Sequence, residues 1–512
     1  MKRIVSMFLM VSLIVCMFAG CGGNGNSSTS QTDDSQSSSA SASDTGTTDD
    51  EEPYTLYFAY QVSKEGPNQQ KVNEAVSELT IEALNIDVQL VPLTAGTYNT
   101  QMPMMLAANE PLDVFMTSSV YVPQYIDSQY IRDLDDYIDS LDGALEQLGD
   151  TYEAGYVGDF LAGLPTLKEQ AVPSALICRK DIMDELGYTA EDFNIVDEED
   201  YQQITDLYAE VHEKYPDMNC LDGTYIMGLE PFCFTDCLST DNGMGVLETP
   251  DTTTVTNWFE SDQFQFFCEL AREWFLAGYS SPDIAVNQDG GGVKMRAGNC
   301  FSFVESYKPN TYVEKESQTG YAVEVIRLGT VPKNTNAVSN RLYCIANASE
   351  DPAKAAEFLN FAFTNGEFID LINWGIEGED WVKNEDGMAA YPEGVDANSV
   401  AYHNDYGFAY PNQYLGTPGE GNPTDIWEQY QTFNEELPVS PAFGFTFDSR
   451  DVSTELAQCT SVYEEYSKDL AFGTVEIEPR LAEFNDALYA AGLQTIIDEK
   501  QAQLDAWLAE QG

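Results

Sequence analysis

From residue 53 onward, apolar positions follow two rhythms. YTLYFAY (54–60) has strand composition. Val72, Val76, Leu79 and Ala83 then fall at helical spacing. Ile86, Val88 and Leu90 alternate with Asp87 and Gln89, which predicts a strand with one polar face. A second helical stretch around Met102 to Ala108 leads into the short apolar run DVFMTSS (113–119). Strand, helix, strand, helix, strand predicts a parallel sheet with crossover helices.

The alternation continues downstream. SALICRK (174–180) reads as a strand leaving the first unit, followed by helices over 180–188 and 198–215, the second stopped by Pro216. Residues 255–279 predict a further helix ending at Gly278. CFSFVES (300–306) reads as a strand after a basic turn, and RLYCIANA (341–348) as another. Asp351 and Pro352 open a helix as cap and first residue. The last two helices carry Leu481, Phe484 and Leu488, with Gly492 as the stop, and then Ile496, Ile497, Leu504, Trp507 and Leu508. Trp258, Trp274 and Trp507 lie on such stripes and are expected in the core. No repeat of 20–50 residues is evident.

The N-terminal region follows a different grammar. Lys2 and Arg3 precede an almost wholly apolar run over 4–20, short for a membrane span and suited to an export signal. It ends in Phe18-Ala19-Gly20-Cys21, which resembles a bacterial lipobox, with Phe18 where leucine is usual. Cys21 is therefore the expected lipidation site, and cleavage before it would leave a chain of net charge near −65, against −63 for the whole sequence. Residues 22–53 hold almost nothing to bury and are expected to form a disordered tether. The remaining 54–512 is long enough for two or three structural units.

Strong acidity argues against nucleic-acid partners, which need clustered Lys and Arg. Of the eight downstream cysteines, Cys178, Cys268, Cys300 and Cys344 sit in apolar runs and read as small core residues. Cys220, Cys233 and Cys237 are expected nearest one another, without the paired spacing of a zinc site. There are two histidines: His212 in a charged helix, expected solvated, and His403 in an aromatic loop. A serine–histidine triad or multi-histidine metal site is thus not expected, and no nucleophile or phosphate-loop motif occurs. Gly290-Gly291-Gly292 reads as a flexible loop. No cofactor, metal or catalytic residue is predicted.

Three segments together carry a resemblance to a known family. MLAANEPLDVFMTSSVYVPQYIDSQYIRDLDDYID (105–139) and ASEDPAKAAEFLNFAFTNGEFIDLINWGIEGEDW (348–381) resemble the extracellular solute-binding proteins of family 1. LINWGIEGEDWV and the stretch from SPAFGFTFDSRDVSTELA (440–457) to QLDAWLAEQ (503–511) resemble LipO-type lipoproteins, whose C-terminal domain (here about 441–510) has no assigned activity. The resemblance implies an α/β, two-lobed periplasmic-binding-protein-like clamp, each lobe a sheet flanked by helices, closing on ligand by a hinge. The expected lobes are 54–172 with 312–375, and 173–311 with 376–512. The implied function is capture of a small solute, expected to be a carbohydrate, by a lipid-anchored monomer on the outer face of the cell membrane, for delivery to an ABC-type permease.

Aromatic faces suit sugar clefts because they cover the apolar side of a sugar ring. The candidates are Tyr121, with Ser118 and Ser119, after the DVFMTSS strand; Tyr307 after FSFVES; Trp374 and Trp381 around the GIEGED turn; and Tyr402, Phe408 and Tyr410 in one loop. Strand geometry and the resemblance both point to the Ser118–Tyr121 turn. Tyr121, Tyr307 and Trp374 are expected around one interlobe cavity. Two other readings stay open at this point. One is a surface enzyme acting on glycans through two of the 86 carboxylates, the other a scaffold lipoprotein with no small ligand.

Overall fold

β1 (Tyr54–Val62), β2 (Ile86–Thr94) and β3 (Val114–Thr117) form the parallel heart of a five-stranded sheet in a computed structural model that describes residues 52–224, 236–238 and 243–511. β1 pairs with β2 from Tyr54↔Ile86 to Val62↔Thr94, and with β3 at Phe58↔Val114 and Ala59↔Phe115. α1 (Gln69–Leu84) and α2 (Ala95–Ala108) make the crossovers, each ended by an asparagine in the left-handed region, Asn85 and Asn109. β2 keeps its polar face because it is the edge strand; β3 is buried along its length. Leu342–Ile345 pairs antiparallel with β3, and Leu164–Pro165 lies beyond it. Phe58 sits at the centre of this core, stacked on Tyr60 and Tyr343 and edge-on to Phe358.

A second sheet, in the order Val323–Leu328, Ser174–Arg179, Cys300–Ser306, Asn219–Leu221, is antiparallel except at its last pair. The helix Asp262–Ala277 explains its own dense apolar composition by burying two faces. Phe267, Leu270 and Trp274 pack towards this sheet, and Phe264 and Cys268 pack into a third core. That third core is built from the C-terminal helices Ser453–Ala471, Ile477–Ala491 and Leu493–Gln511. Trp258 and Trp274 are core residues as expected; Trp507 is only half-buried, edge-on to Phe445.

Several expectations need correction. Val323–Leu328 hydrogen-bonds to Ser174–Arg179, so residues up to 328 join the second sheet rather than the first lobe. Tyr402, Ala409 and Tyr410 pack into the first core, although they follow residue 376. Periodicity names a strand but not its sheet, which is why the lobe boundaries were not readable. The Gly290–Gly292 run is no loop: Gly291 starts the helix Gly291–Arg296, where an added Cβ would meet Phe303 Cβ at 2.2 Å. His212 is half-buried, edge-on to Tyr279. Cys220 and Cys237 sit in different cores, and Cys233 lies outside the described residues, as do Cys21 and the tether to residue 51. Cys178, Cys268, Cys300 and Cys344 are free thiols, fully buried. Among the described residues no helix is long and apolar enough to cross a membrane, and no cluster of three His, Cys, Asp or Glu could hold a metal.

Candidate ligand-binding cleft

The chain leaves β1 towards β2 on one side and returns to β3 on the other. A crevice therefore opens outside the carboxyl ends of β1 and β3, the switch point at which open α/β sheets bind ligands. A cavity of about 210 Å³ lies there. Gln61 near the end of β1, Thr117 at the end of β3, and Ser118 and Tyr121 of the following turn form part of its wall. Tyr98 and Asn99 of α2 and Arg341 complete its polar lining. The turn is set by Ser118, whose carbonyl accepts from the Tyr121 N–H at 3.0 Å. Tyr121 stacks on Tyr125 at 6.1 Å. Tyr98 is locked in place: its hydroxyl donates to Met116 O at 2.8 Å and accepts from Met116 N at 3.1 Å.

A larger cavity of about 690 Å³ adjoins it, with Val120 on both walls. One side is Ser119 and α3 (Val122–Asp127), through Pro123, Gln124 and Asp127. Its floor is the short helix Thr335–Ser339, in the segment crossing from the second sheet to the first. The far side is C-terminal: Phe445, Thr446 and Phe447, then Ser453, Leu456 and Thr460, which share one helix face by their spacing of three and four. The Arg450 guanidinium spans the gap, bonded to both Asp127 and Asp448. Asp236, also on the wall, accepts from Ser440 Oγ at 2.6 Å and from Leu238 N at 2.8 Å. Burial pushes its pKa up to about 6, against its hydrogen bonds and the Lys500 charge. Lys500, fully buried, donates to the carbonyls of Cys237, Met244 and Gly245 at 2.8–2.9 Å and so holds this part of the wall in shape.

Of the sequence candidates, Ser118 and Tyr121 line the smaller cavity and Ser119 the larger. The others do not join them. Tyr307 packs on Phe433 at 5.9 Å with the Arg327 guanidinium over its ring, away from both cavities. Trp374 is 8% exposed, stacked face to face on His403 at 4.2 Å, with its indole N–H donating to Thr417 O. Trp381 packs beside it and donates to Gly375 O. Tyr402 donates to Ile372 O, and Tyr410 to Asn404 O. These rings pack the loop down onto the first lobe, and their polar atoms are satisfied internally. Phe408 stays partly buried at that core's edge. Gln61, Tyr98, Arg341 and the C-terminal wall were missed. Gln61 had a usable signal, since it sits near the end of the first parallel strand; Arg341 had none.

His403 carries a pH prediction. Its Nδ1 meets Tyr391 Oη at 2.6 Å, and burial pushes its pKa down to about 4, opposed by Asp405. The unfolded imidazole titrates near 6.5, so between those values the unfolded chain binds more protons. Stability present above pH 6.5 is therefore lost as pH falls towards 4, by at most about 3 kcal/mol. Urea unfolding of the native chain and of His403→Phe from pH 7.5 to 4.5 should show a shallower pH slope in the variant. Equal slopes would contradict the assignment.

A first lobe and a C-terminal core that face each other across the larger cavity have the architecture of a binding clamp. The sequence profile of the bacterial extracellular solute-binding protein family matches residues 65–367, and the chain belongs to that family. Its members bind substrates for transport and are not enzymes. Residues 441–509 match a domain of unknown function (DUF3502). The chain is 22% identical over 468 residues to a carbohydrate ABC transporter substrate-binding protein of Streptococcus pneumoniae serotype 4, covering 88% of this chain and 90% of the other. The fold matches the crystal structure of the N-glycan transport solute binding protein of Streptococcus pneumoniae, with a TM-score of 0.78 at 18% identity, over 90% of this chain and all of that one. The same protein in complex with Man1GlcNAc matches at 0.69, again at 18% identity, over 89% and 99%.

Proposed function

We propose that this chain captures an oligosaccharide in the interlobe cleft and passes it to an ABC-type importer, while a lipid on Cys21 holds it at the outer face of the cell membrane. The carrying observation is the pair of adjoining cavities at the switch point, walled by hydroxyl, amide and aromatic groups, the smaller by the first lobe and the larger by the first lobe and the C-terminal core. That is the lining a sugar needs, since its hydroxyls must be hydrogen-bonded and its ring faces covered. The larger volume takes several sugar residues. Relatives named for carbohydrate and N-glycan transport support the same reading. The lipobox-like FAGC run supports the anchor, and the long polar stretch after it would hold the clamp clear of the surface.

Titration calorimetry of the detergent-solubilised chain against mannose- and N-acetylglucosamine-containing oligosaccharides tests the reading. A ligand present at a hundred times its dissociation constant should also stabilise the fold by about 2.7 kcal/mol. A scaffold without a small ligand would show neither heat nor stabilisation. Mass spectrometry of membrane-extracted protein should find an acylated Cys21 as the first residue; an unmodified start elsewhere would remove the anchor from the account.

A further inference from the structure

We propose that the smaller cavity seats a sugar residue bearing a carboxylate, such as a uronic or nonulosonic acid, gripped by Arg341. This rests on the oligosaccharide reading and narrows it. The chain carries 86 carboxylates, yet none of the eleven residues on this cavity's wall is acidic, and one is a cation. Arg341 immediately precedes the strand that pairs with β3 at Leu342↔Thr117, which delivers its side chain beside the carboxyl end of β3.

The guanidinium is poorly served by the protein. Nη1 donates to Asn340 O at 2.7 Å, while Nε is buried without a hydrogen-bond partner. No carboxylate among the described residues forms an ion pair with it. Its neighbours are aromatic rings and another cation: Phe408 lies 5.6 Å away, Tyr98 shares the cavity wall, and the buried Lys168 ammonium is near enough to feel the guanidinium's charge. Burial pushes its pKa down, which marks a desolvated cation without a counter-ion.

Such a cation is costly unless paired, and its planar fork matches a carboxylate through two parallel hydrogen bonds. Arg450, by contrast, is already neutralised by Asp127 and Asp448 on the larger cavity. The two cavities therefore divide the ligand: neutral sugars in the larger, one acidic residue in the smaller. The chain's overall negative charge disfavours a polyanion, but distant charges are screened beyond about 8 Å at physiological salt, so a single carboxylate is accommodated.

The test is calorimetry on the detergent-solubilised full chain with glucuronate, N-acetylneuraminate, glucose and N-acetylglucosamine, and with neutral oligosaccharides. At least one acid sugar should bind about 10- to 100-fold tighter than its neutral counterpart, as expected for charged hydrogen bonds. Arg341→Gln should erase that advantage. Because that variant could also disturb packing, Asn99→Asp, at an exposed position on the same wall, should erase it too by like-charge repulsion with Arg341 untouched. Acid and neutral sugars binding equally would overturn the proposal. So would neutral oligosaccharides binding while acid sugars do not, or an acid preference that survives both substitutions. Failure of every neutral oligosaccharide to bind would instead strike at the oligosaccharide reading itself.

Discussion

Trp374→Ala should lower stability by about 3–5 kcal/mol, the usual cost of emptying a large buried aromatic site, and leave ligand affinity unchanged. Trp374 stacks on His403, packs beside Trp381 and Tyr391, and fills the space against Gly419, where a Cβ would meet its ring at 3.1 Å. Its indole N–H is bonded to Thr417 O, so the substitution also leaves a carbonyl unpaired. Neither cavity is lined by it. Denaturant melts alongside calorimetric titration give the two numbers separately. A variant with native stability and lost affinity would mean that the tryptophan faces ligand after all.

Lys500→Met should cost about 3 kcal/mol and also weaken binding to the larger cavity. The lysine is fully buried, and its removal leaves the Cys237, Met244 and Gly245 carbonyls without a donor it now supplies. Each buried unpaired acceptor costs about 1–3 kcal/mol, part of which is offset by no longer desolvating an ammonium. The backbone it holds carries Asp236 and Leu238 on the cavity wall, so loosening it should reach the ligand. Loss of stability with full affinity would show that the lysine supports packing alone. The contrast with Trp374 is physical: both side chains are buried, but only one braces residues that line the cleft.

The first three strands and their crossovers were legible because a parallel sheet imposes simple patterns. β1 and β3 read as apolar runs, while β2, on the edge, kept the alternation of Asp87 and Gln89 against its apolar positions. That geometry also pointed to Ser118 and Tyr121, because ligand crevices follow parallel strand ends. The aromatic loop misled for an equally simple reason. Tyr402 and Tyr410 are separated from the first core by many residues of sequence, and composition cannot say whether a ring in a loop covers a core or faces a cleft. Arg341 was illegible because its meaning depends on which groups are absent around it. The C-terminal helix face of Ser453, Leu456 and Thr460 had the right spacing, but only the tertiary placement of Ser453–Ala471 across the cavity from α3 makes it a wall.

That placement gives the domain of unknown function a concrete part in the cleft, since Phe445, Thr446, Phe447, Arg450 and the Ser453 face all lie within residues 441–509. Lys500, in the same segment, braces the wall from behind.

Hydrogen exchange of the full chain with and without a bound oligosaccharide is the most direct test of the central claim. Ligand should slow exchange over 117–128, 335–341 and 445–460, the three stretches that meet around the adjoining cavities. Protection confined to the Trp374–Trp381 and Tyr402–Tyr410 loops, with those three stretches unchanged, would contradict it.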